Sequence, residues 1–381
     1  MILEAITQTE ILAFTSSCIT SILMANLGGR LTALVRRSDL RAVQASHTRP
    51  TLRLGGIGIA GALALIVATQ DLKSALLLLM LTASLPVLFS GLLEDIGLHQ
   101  SPRRRLLMAT ISSVLAIWLV DAHLPHIGIS QLEAVFSIFV IAAGFTIFVT
   151  VGVAHAFNLI DGLNGLAGTT AVASCASFLI IAKLAGAPDI ALVASALLAA
   201  MLGFLSVNYP FGRLFLGDAG AYLVGFLLGW IAVKLVHQTG TVAPWAMVLV
   251  LFWPIADTLM TIARRCAQRR KATHPDRMHF HHVVMRGVEI AILGRRDRRI
   301  SNPLATAIMA PFVIMPPMTA ILLWNRPTVT MLATLGFALL FVPTYLLLVV
   351  GLKSGRLRRR RRSPQFVPLA SNAILNQNFE R

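Results

Sequence analysis

Long apolar runs separated by short polar segments make up most of this chain. Each run has at least 15 residues with few charges, and a helix of about 20 residues crosses a hydrocarbon core of about 30 Å. The pattern therefore predicts an all-α polytopic integral membrane protein with eleven transmembrane helices, or ten if one weak run does not cross. The predicted spans cover residues 11–29, 55–70, 74–92, 106–120, 134–154, 165–183, 189–207, 219–236, 243–262, 303–323 and 328–350.

Composition supports a membrane protein, and charge placement predicts its orientation. Hydrophobic residues make up 56% of the chain, charged residues make up 13%, and the mean hydropathy is +0.76, whereas soluble domains are about 25% charged. With the N-terminus outside and eleven crossings, twenty-nine of the 33 Lys and Arg residues fall in cytoplasmic segments, in agreement with the positive-inside rule. We therefore interpret the net charge of +17 as a topology signal and expect no nucleic-acid partner.

One integral domain is predicted, without a separate soluble module. Residues 1–352 form the polytopic domain, whose longest non-membrane segment is a basic cytoplasmic loop at about 263–302 with a short helix near 283–290. Residues 353–381 form a cytoplasmic tail that contains five consecutive arginines from Arg358 to Arg362. We expect this tail to be disordered and to lie against anionic lipid headgroups.

Four polar patches interrupt the apolar pattern, and the predicted topology places all of them at the cytoplasmic face. They are Glu94-Asp95, Asn158 to Gly162, Gly217 to Gly220 and His279 to His282. An ionised residue within a span costs roughly 2.5–3.5 kcal/mol on insertion scales, so several at one face indicate a shared function. Carboxylates beside arginines and histidines suit a hard cation such as Mg²⁺ together with phosphate groups.

Each patch also has a purely structural explanation when it is taken alone. Glu94-Asp95 could be a solvated pair at a helix end, while Asn158 to Asp161 and Gly217-Asp218 could be turns or N-caps. The histidine cluster could be a zinc site, although its spacing differs from HExxH and no fourth ligand is evident. These explanations do not account for the convergence of all four patches on one face.

The segment from Gly56 to Gly61 matches the GxGxxG pattern. A dinucleotide-binding loop of this kind needs a preceding strand and a βαβ unit, whereas these glycines open a predicted transmembrane helix. We therefore interpret them, and the GxxxG pair Gly225 and Gly229, as sites of close helix packing.

The ordered set of motifs resembles the polyprenyl-phosphate N-acetylhexosamine-1-phosphate transferases, which are glycosyltransferase family 4 in the MraY-like superfamily. The resemblance covers about residues 30–350. The HxHH form of the last motif is more similar to the WecA, TagO and WbpL branch than to the MraY branch, which argues against a muramyl-pentapeptide donor. The matching segments are HTRPTLRLGG at 47–56, GLLED at 91–95, NLIDGLNG at 158–165, NYP at 208–210, FLGDAG at 215–220, PDR at 275–277 and HFHH at 279–282.

This resemblance implies a reaction and a set of site residues. A polyprenyl phosphate, undecaprenyl phosphate in a bacterium, would attack the β-phosphorus of a UDP-N-acetyl sugar, with UDP-GlcNAc as the default, to release UMP and initiate a cell-surface glycan. The resemblance also implies Mg²⁺, with Mn²⁺ as an alternative, and a multi-pass protein of the bacterial inner membrane that could be a homodimer. The implied catalytic residues are Glu94, Asp95, Asp161 and Asp218. The implied metal ligands are Asn158, Asp161 and Asp218, and the implied substrate contacts are His47, Arg53, Asn164, Arg277, His279, His281 and His282.

Four positions depart from the pattern of the family. Glu94 replaces a usual aspartate, and its longer side chain alters the reach of an acid that would act as a base. Leu52 replaces a proline, His155 stands where many relatives have asparagine, and Asn164 replaces a frequent aspartate.

Other classes of membrane protein explain fewer of these features. A secondary transporter for an anionic or phosphorylated solute, the main alternative, predicts polar groups near the midplane and on both sides, but the outer segments hold only scattered acids. A CDP-alcohol phosphatidyltransferase needs later aspartates that do not follow Asp161. Asp257, near the end of the ninth predicted span, has two interpretations: it could orient an arginine such as Arg264, or it could serve only in packing.

Overall fold

The computed structural model describes residues 8–31, 51–69, 74–268 and 278–354, and the regular elements in these ranges are helical. A 3₁₀ turn (Ser130–Leu132) precedes the fifth α-helix, and a π-helical turn (Val288–Leu293) follows the twelfth. The α-helices are α1 (Gln8–Leu31), α2 (Gly55–Thr69), α3 (Ala75–Asp95), α4 (Pro102–Val120), α5 (Glu133–Phe136), α6 (Phe139–Ile160), α7 (Leu166–Leu184), α8 (Pro188–Asn208), α9 (Gly217–Thr239), α10 (Pro244–Val250), α11 (Phe252–Ala267), α12 (Phe280–Gly287), α13 (Arg298–Leu323) and α14 (Pro327–Lys353).

Eight of the described helices are long and apolar enough to cross a membrane, which confirms a multi-pass helical protein. They are α1, α3, α6, α7, α8, α9, α13 and α14. Helix α2 is shorter, at 15 residues, and α4 starts with three arginines in its first turn. The count of eleven crossings and their orientation stay predictions.

The span predicted for residues 243–262 is not one continuous helix. The chain forms α10 and α11 there, and their axes differ by 82°. Pro254 explains the break, because proline has no N–H to donate to the carbonyl of Val250 and its ring crowds that carbonyl. Helix α10 accordingly ends at Val250.

The fourth and fifth predicted segments have different bounds in the structure. Helix α4 starts at Pro102, where Ser101 accepts a hydrogen bond from the Arg104 N–H and proline occupies the first helical position. Arg103 to Arg105, which precede the predicted span of 106–120, are therefore helical. Helix α6 extends to Ile160, so Asn158 lies in its last turn and Asp161 is its C-cap.

Helix α9 forms the centre of the bundle, and 94% of its apolar 18-residue stretch is buried. It packs against α2, α3, α6 and α7. A Cβ on Gly56 of α2 would be 2.3 Å from the Gly220 nitrogen, and one on Gly225 would be 2.9 Å from the Ala154 Cα. These contacts confirm the packing interpretation for Gly56 and Gly225, whereas a Cβ on Gly61 would meet nothing within 4 Å.

Candidate active site

Two segments that are distant in sequence run side by side at one end of α9. Three backbone hydrogen bonds of 2.9 Å join residues 52–56 to residues 215–216. Gly217 then turns the chain into α9 with a φ of +77°, and a Cβ at this position would be 2.0 Å from the Arg53 carbonyl oxygen. Glycine is therefore required there, and the turn places Asp218 beside the Arg53 side chain.

Asp218 is held between two arginines. Arg53 Nη2 donates to its Oδ1 at 2.9 Å, and Arg105 Nη1 donates to its Oδ2 at 2.8 Å. The Asp218 carboxylate is only 8% exposed, so the two guanidinium groups compensate for its lost hydration. Asp218 therefore has both oxygens engaged by cations that also suit phosphate.

The two adjacent acids Glu94 and Asp95 have different surroundings. Asp95 accepts the backbone N–H groups of Asp218 and Ala219, both at 2.9 Å. It therefore caps the N-terminus of α9 from another helix, a position that favours a negative charge. Glu94 instead accepts the Gln100 N–H at 2.6 Å and braces the loop that follows α3.

Asp161 belongs to the same charged group. Burial raises the pKa of Asp161 to about 7; the Arg53 charge acts against this shift, and the Asp218 charge adds to it. The carboxylates of Asp161 and Asp218 therefore both lie near Arg53, whose positive charge partly neutralises them. Asn158, one turn earlier at the end of α6, is half-buried.

Asn164 braces two neighbouring turns. Its side-chain amide donates to the Pro210 carbonyl at 3.0 Å, and its backbone N–H donates to Asn302 Oδ1 at 2.7 Å. The Gly165 N–H donates to Asn208 Oδ1 at 2.7 Å, so the NYP motif also supports the turn that starts α7. The proposed contact of Asn164 with a nucleotide stays a prediction.

The histidine motif starts α12 and packs against the Asp161 turn. His279 and His281 are 3% and 1% exposed, whereas His282 is half-buried. A Cβ on Gly162 would be 2.4 Å from His281 Nε2, so the ring lies directly on this turn. Four segments that are distant in sequence thus meet at one site.

Asp257 contacts the first two residues of the histidine motif. The suggestion that it orients Arg264 is wrong. Its Oδ1 accepts the Phe280 N–H at 2.9 Å, and its Oδ2 lies 3.0 Å from His279 Nδ1. Arg264 instead donates to the Met278 carbonyl at 2.7 Å.

The oxygen side chains fit the requirements of Mg²⁺. Within the described parts of the chain, no three His, Cys, Asp or Glu side chains gather closely enough to hold a metal ion by themselves. Mg²⁺ does not need such a cage, because it takes one or two carboxylates and completes its shell with water and phosphate oxygens. Asp161 and Asp218, with the amide of Asn158, offer a donor set of this kind.

Arg105 is the site residue that sequence reasoning missed. The run Arg103 to Arg105 counts among the cytoplasmic charges that predict the topology, and helix α4 places Arg105 against Asp218. The N-cap pattern of Ser101 followed by Pro102 could have indicated the helical start. His47 and Arg277 lie outside the described residues, as does most of the basic tail.

The chain is similar to known proteins over most of its length. The model of glycosyl transferase family 4 matches residues 77–236. A probable undecaprenyl-phosphate N-acetylglucosaminyl 1-phosphate transferase of Bacillus subtilis is 24% identical over 281 residues, which cover 72% of this chain and 77% of that protein.

Two further relatives carry related names. An undecaprenyl-phosphate alpha-N-acetylglucosaminyl 1-phosphate transferase of Salmonella typhi is 27% identical, over 68% of this chain and 70% of that protein. A decaprenyl-phosphate N-acetylglucosaminephosphotransferase of Mycobacterium tuberculosis is 27% identical, over 67% of this chain and 69% of that protein. Together with the family match over residues 77–236, these similarities confirm the resemblance to glycosyl transferase family 4 that the motifs indicated.

Proposed function

We propose that this protein transfers N-acetylglucosamine 1-phosphate from UDP-GlcNAc to undecaprenyl phosphate, forming a polyprenyl-diphospho-sugar that starts a surface glycan. Relatives that match about 70% of the chain carry the name of this reaction. The observation that carries the proposal is the convergence of Arg53, Arg105 and Asp95 on Asp218 at the start of α9.

The reaction is a phosphoryl transfer that balances without a redox partner. An oxygen of the lipid phosphate forms a bond to the β-phosphorus of the nucleotide sugar. The bond from that phosphorus to the oxygen bridging the α-phosphorus breaks, and UMP leaves with the electron pair. Catalysis of this kind depends on positioning and on charge neutralisation more than on covalent protein chemistry.

Asp218 and Asp161, with Asn158, are the proposed ligands for Mg²⁺. Mg²⁺ supplies positive charge to the pyrophosphate oxygens when it is bound. Arg53 and Arg105, which donate to Asp218, would bind phosphate oxygens of the substrates. Asp95 keeps the N-terminus of α9, and with it Asp218, in place.

The proposed location is the cytoplasmic face of a bacterial inner membrane. The predicted asymmetry of Lys and Arg supports this orientation, and a cytoplasmic site would have access to a nucleotide sugar. The basic tail would then lie on the same anionic leaflet. The homodimer stays a prediction.

A transfer assay tests the proposal directly. Purified protein with Mg²⁺, undecaprenyl phosphate and radiolabelled UDP-GlcNAc should give label in the lipid phase and release UMP. Asp218→Asn should lose turnover, whereas Asp121→Asn should retain it, because Asp121 is an exposed residue at the far end of α4. Parallel assays with UDP-GalNAc and 6-deoxy donors identify the sugar.

The outcomes separate the enzyme from the transporter. Failure of transfer with every donor, in protein shown to be folded, would overturn the proposal. Uptake of a phosphorylated solute into proteoliposomes would then support the transporter instead.

A further inference from the structure

Asp257 is a buried carboxylate whose contacts lie at the start of the histidine motif. It is 1% exposed in the middle of α11. Its Oδ1 accepts the first N–H of α12, that of Phe280, at 2.9 Å. Its Oδ2 lies 3.0 Å from His279 Nδ1 and 3.9 Å from His281 Nδ1. One side chain therefore holds both the start of the helix and the ring that precedes it.

This geometry determines which ring nitrogen of His279 carries a proton. An ionised carboxylate only accepts hydrogen bonds, so the nitrogen that faces Asp257 must be the donor. In the neutral ring, Nδ1 then carries the proton, and Nε2 keeps its lone pair. Thr261 Oγ1, 3.3 Å from the same Nδ1, does not compete with this assignment, because a hydroxyl can also accept.

His281 connects this pair to the Asp161 turn. Its ring stacks on His279 with a centroid distance of 5.6 Å and an angle of 19°. Its Nε2 is buried without a hydrogen-bond partner and faces the position that a Cβ on Gly162 would occupy. A change in the position of Asp257 would therefore move the stacked rings and, through His281, the turn at Gly162 that follows Asp161.

We propose that Asp257 is a positioning residue, which fixes the proton on Nδ1 of His279 and seats His281 against the turn that carries Asp161. The expected effect on the transfer rate rests on the proposed function. The position of the proton on the His279 ring does not depend on it. Replacing a carboxylate that orients a metal-binding histidine typically changes metal affinity or activity by about 10- to 100-fold, and we expect an effect of that order for Asp257.

Asp257→Asn is the sharpest variant, because it changes the proton arrangement and leaves the cap in place. The asparagine oxygen still accepts the Phe280 N–H, while its NH₂ group faces His279 Nδ1 and forces the proton to Nε2. We expect an unchanged melting temperature in detergent and a fall in kcat of about 10- to 100-fold. Wild-type kcat would overturn the proposal, as would a loss explained entirely by unfolding.

A double-mutant cycle shows whether Asp257 acts through His279. In the His279→Ala background, Asp257→Asn should change the transfer rate less than about twofold, because the partner is already gone. Equal losses in both backgrounds would mean that Asp257 acts elsewhere, and the proposal would fail.

A measurement independent of turnover completes the test. In protein labelled with ¹⁵N-histidine at about pH 8, the His279 signal, assigned by its loss in His279→Ala, should show protonated Nδ1. Asp257→Asn should move the proton to Nε2. A wild-type ring protonated at Nε2 overturns the inference whether or not the protein transfers sugar phosphate. Conversely, failure of transfer in a protein with the expected signal overturns only the proposed function.

Discussion

Gly56 marks a place where α2 and α9 touch without a side chain between them. A Cβ there would be 2.3 Å from the Gly220 nitrogen and 2.4 Å from its Cα. Because ordinary contacts begin at 3.4 Å, Gly56→Ala would push the helices apart by roughly 1 Å, since backbone atoms in a packed core cannot rotate away. The same shift would stretch the 2.9 Å hydrogen bond from the Gly56 N–H to the Leu216 carbonyl.

The expected cost in stability is roughly 1–3 kcal/mol. Overpacking alone gives that range, and the weakened hydrogen bond adds about 1 kcal/mol, which the better helix propensity of alanine offsets. The rate should also fall, because Gly56 closely follows Arg53 in the chain and Gly220 closely follows Asp218. A misplacement of about 1 Å in a site of this kind can lower the rate by about 100-fold.

Gly61→Ala is the matched control, because it lies on the same helix and a Cβ there meets nothing within 4 Å. Both variants would be compared with wild type by melting temperature in detergent and by initial rate of transfer. We expect Gly61→Ala to match wild type and Gly56→Ala to lose stability and at least about tenfold in rate. A Gly56→Ala protein that melts and turns over like Gly61→Ala would refute this account of the contact.

Three other predictions concern the turn, the metal and the tail. Gly162→Ala should slow transfer because its Cβ would be 2.4 Å from His281 Nε2, whereas Gly152→Ala on α6, with nothing within 4 Å, should not; equal rates would contradict the contact. Burial raises the pKa of Asp161 to about 7, and a metal ion must displace the proton of this carboxyl group in order to bind. The Mg²⁺ concentration that gives half-maximal activity should therefore fall as the pH rises from about 6 to 8. A flat Mg²⁺ titration across this range would exclude Asp161 as a ligand. Removal of residues 356–381 should retain most turnover but weaken binding to anionic vesicles; complete loss of turnover would give the tail a catalytic role.

The hydrophobic pattern predicted where helices occur better than where they break. Apolar runs of sufficient length fix the helices because backbone groups in lipid must be paired internally. The break before Pro254 was missed because the apolar run is continuous through it, and a proline is tolerated in many membrane helices. Similarly, Ser101 and Pro102 extend α4 back over residues that look like a charged loop.

The site motifs were readable from sequence, but the pairing of their side chains was not. The Asn158, Asp218 and histidine motifs indicated oxygen ligands and phosphate chemistry. Arg105 was missed because three consecutive arginines have a sufficient explanation in membrane topology. The different surroundings of Glu94 and Asp95 depend on how the end of α3 packs against α9. This is a tertiary contact, which the identity of two neighbouring residues does not indicate.

The two arginines that hold Asp218 both precede it in the chain, and this order has a consequence for biogenesis. During synthesis from the N-terminus, Arg53 and Arg105 reach the membrane before α9 does. An uncompensated carboxylate within a membrane is costly, but Asp218 enters a bundle that already contains its two cations. Helix α9, which forms the centre of the protein, can therefore insert after the segments that carry Arg53 and Arg105. Its Asp218 is then paired with these two cations and is not exposed to lipid as an unpaired charge.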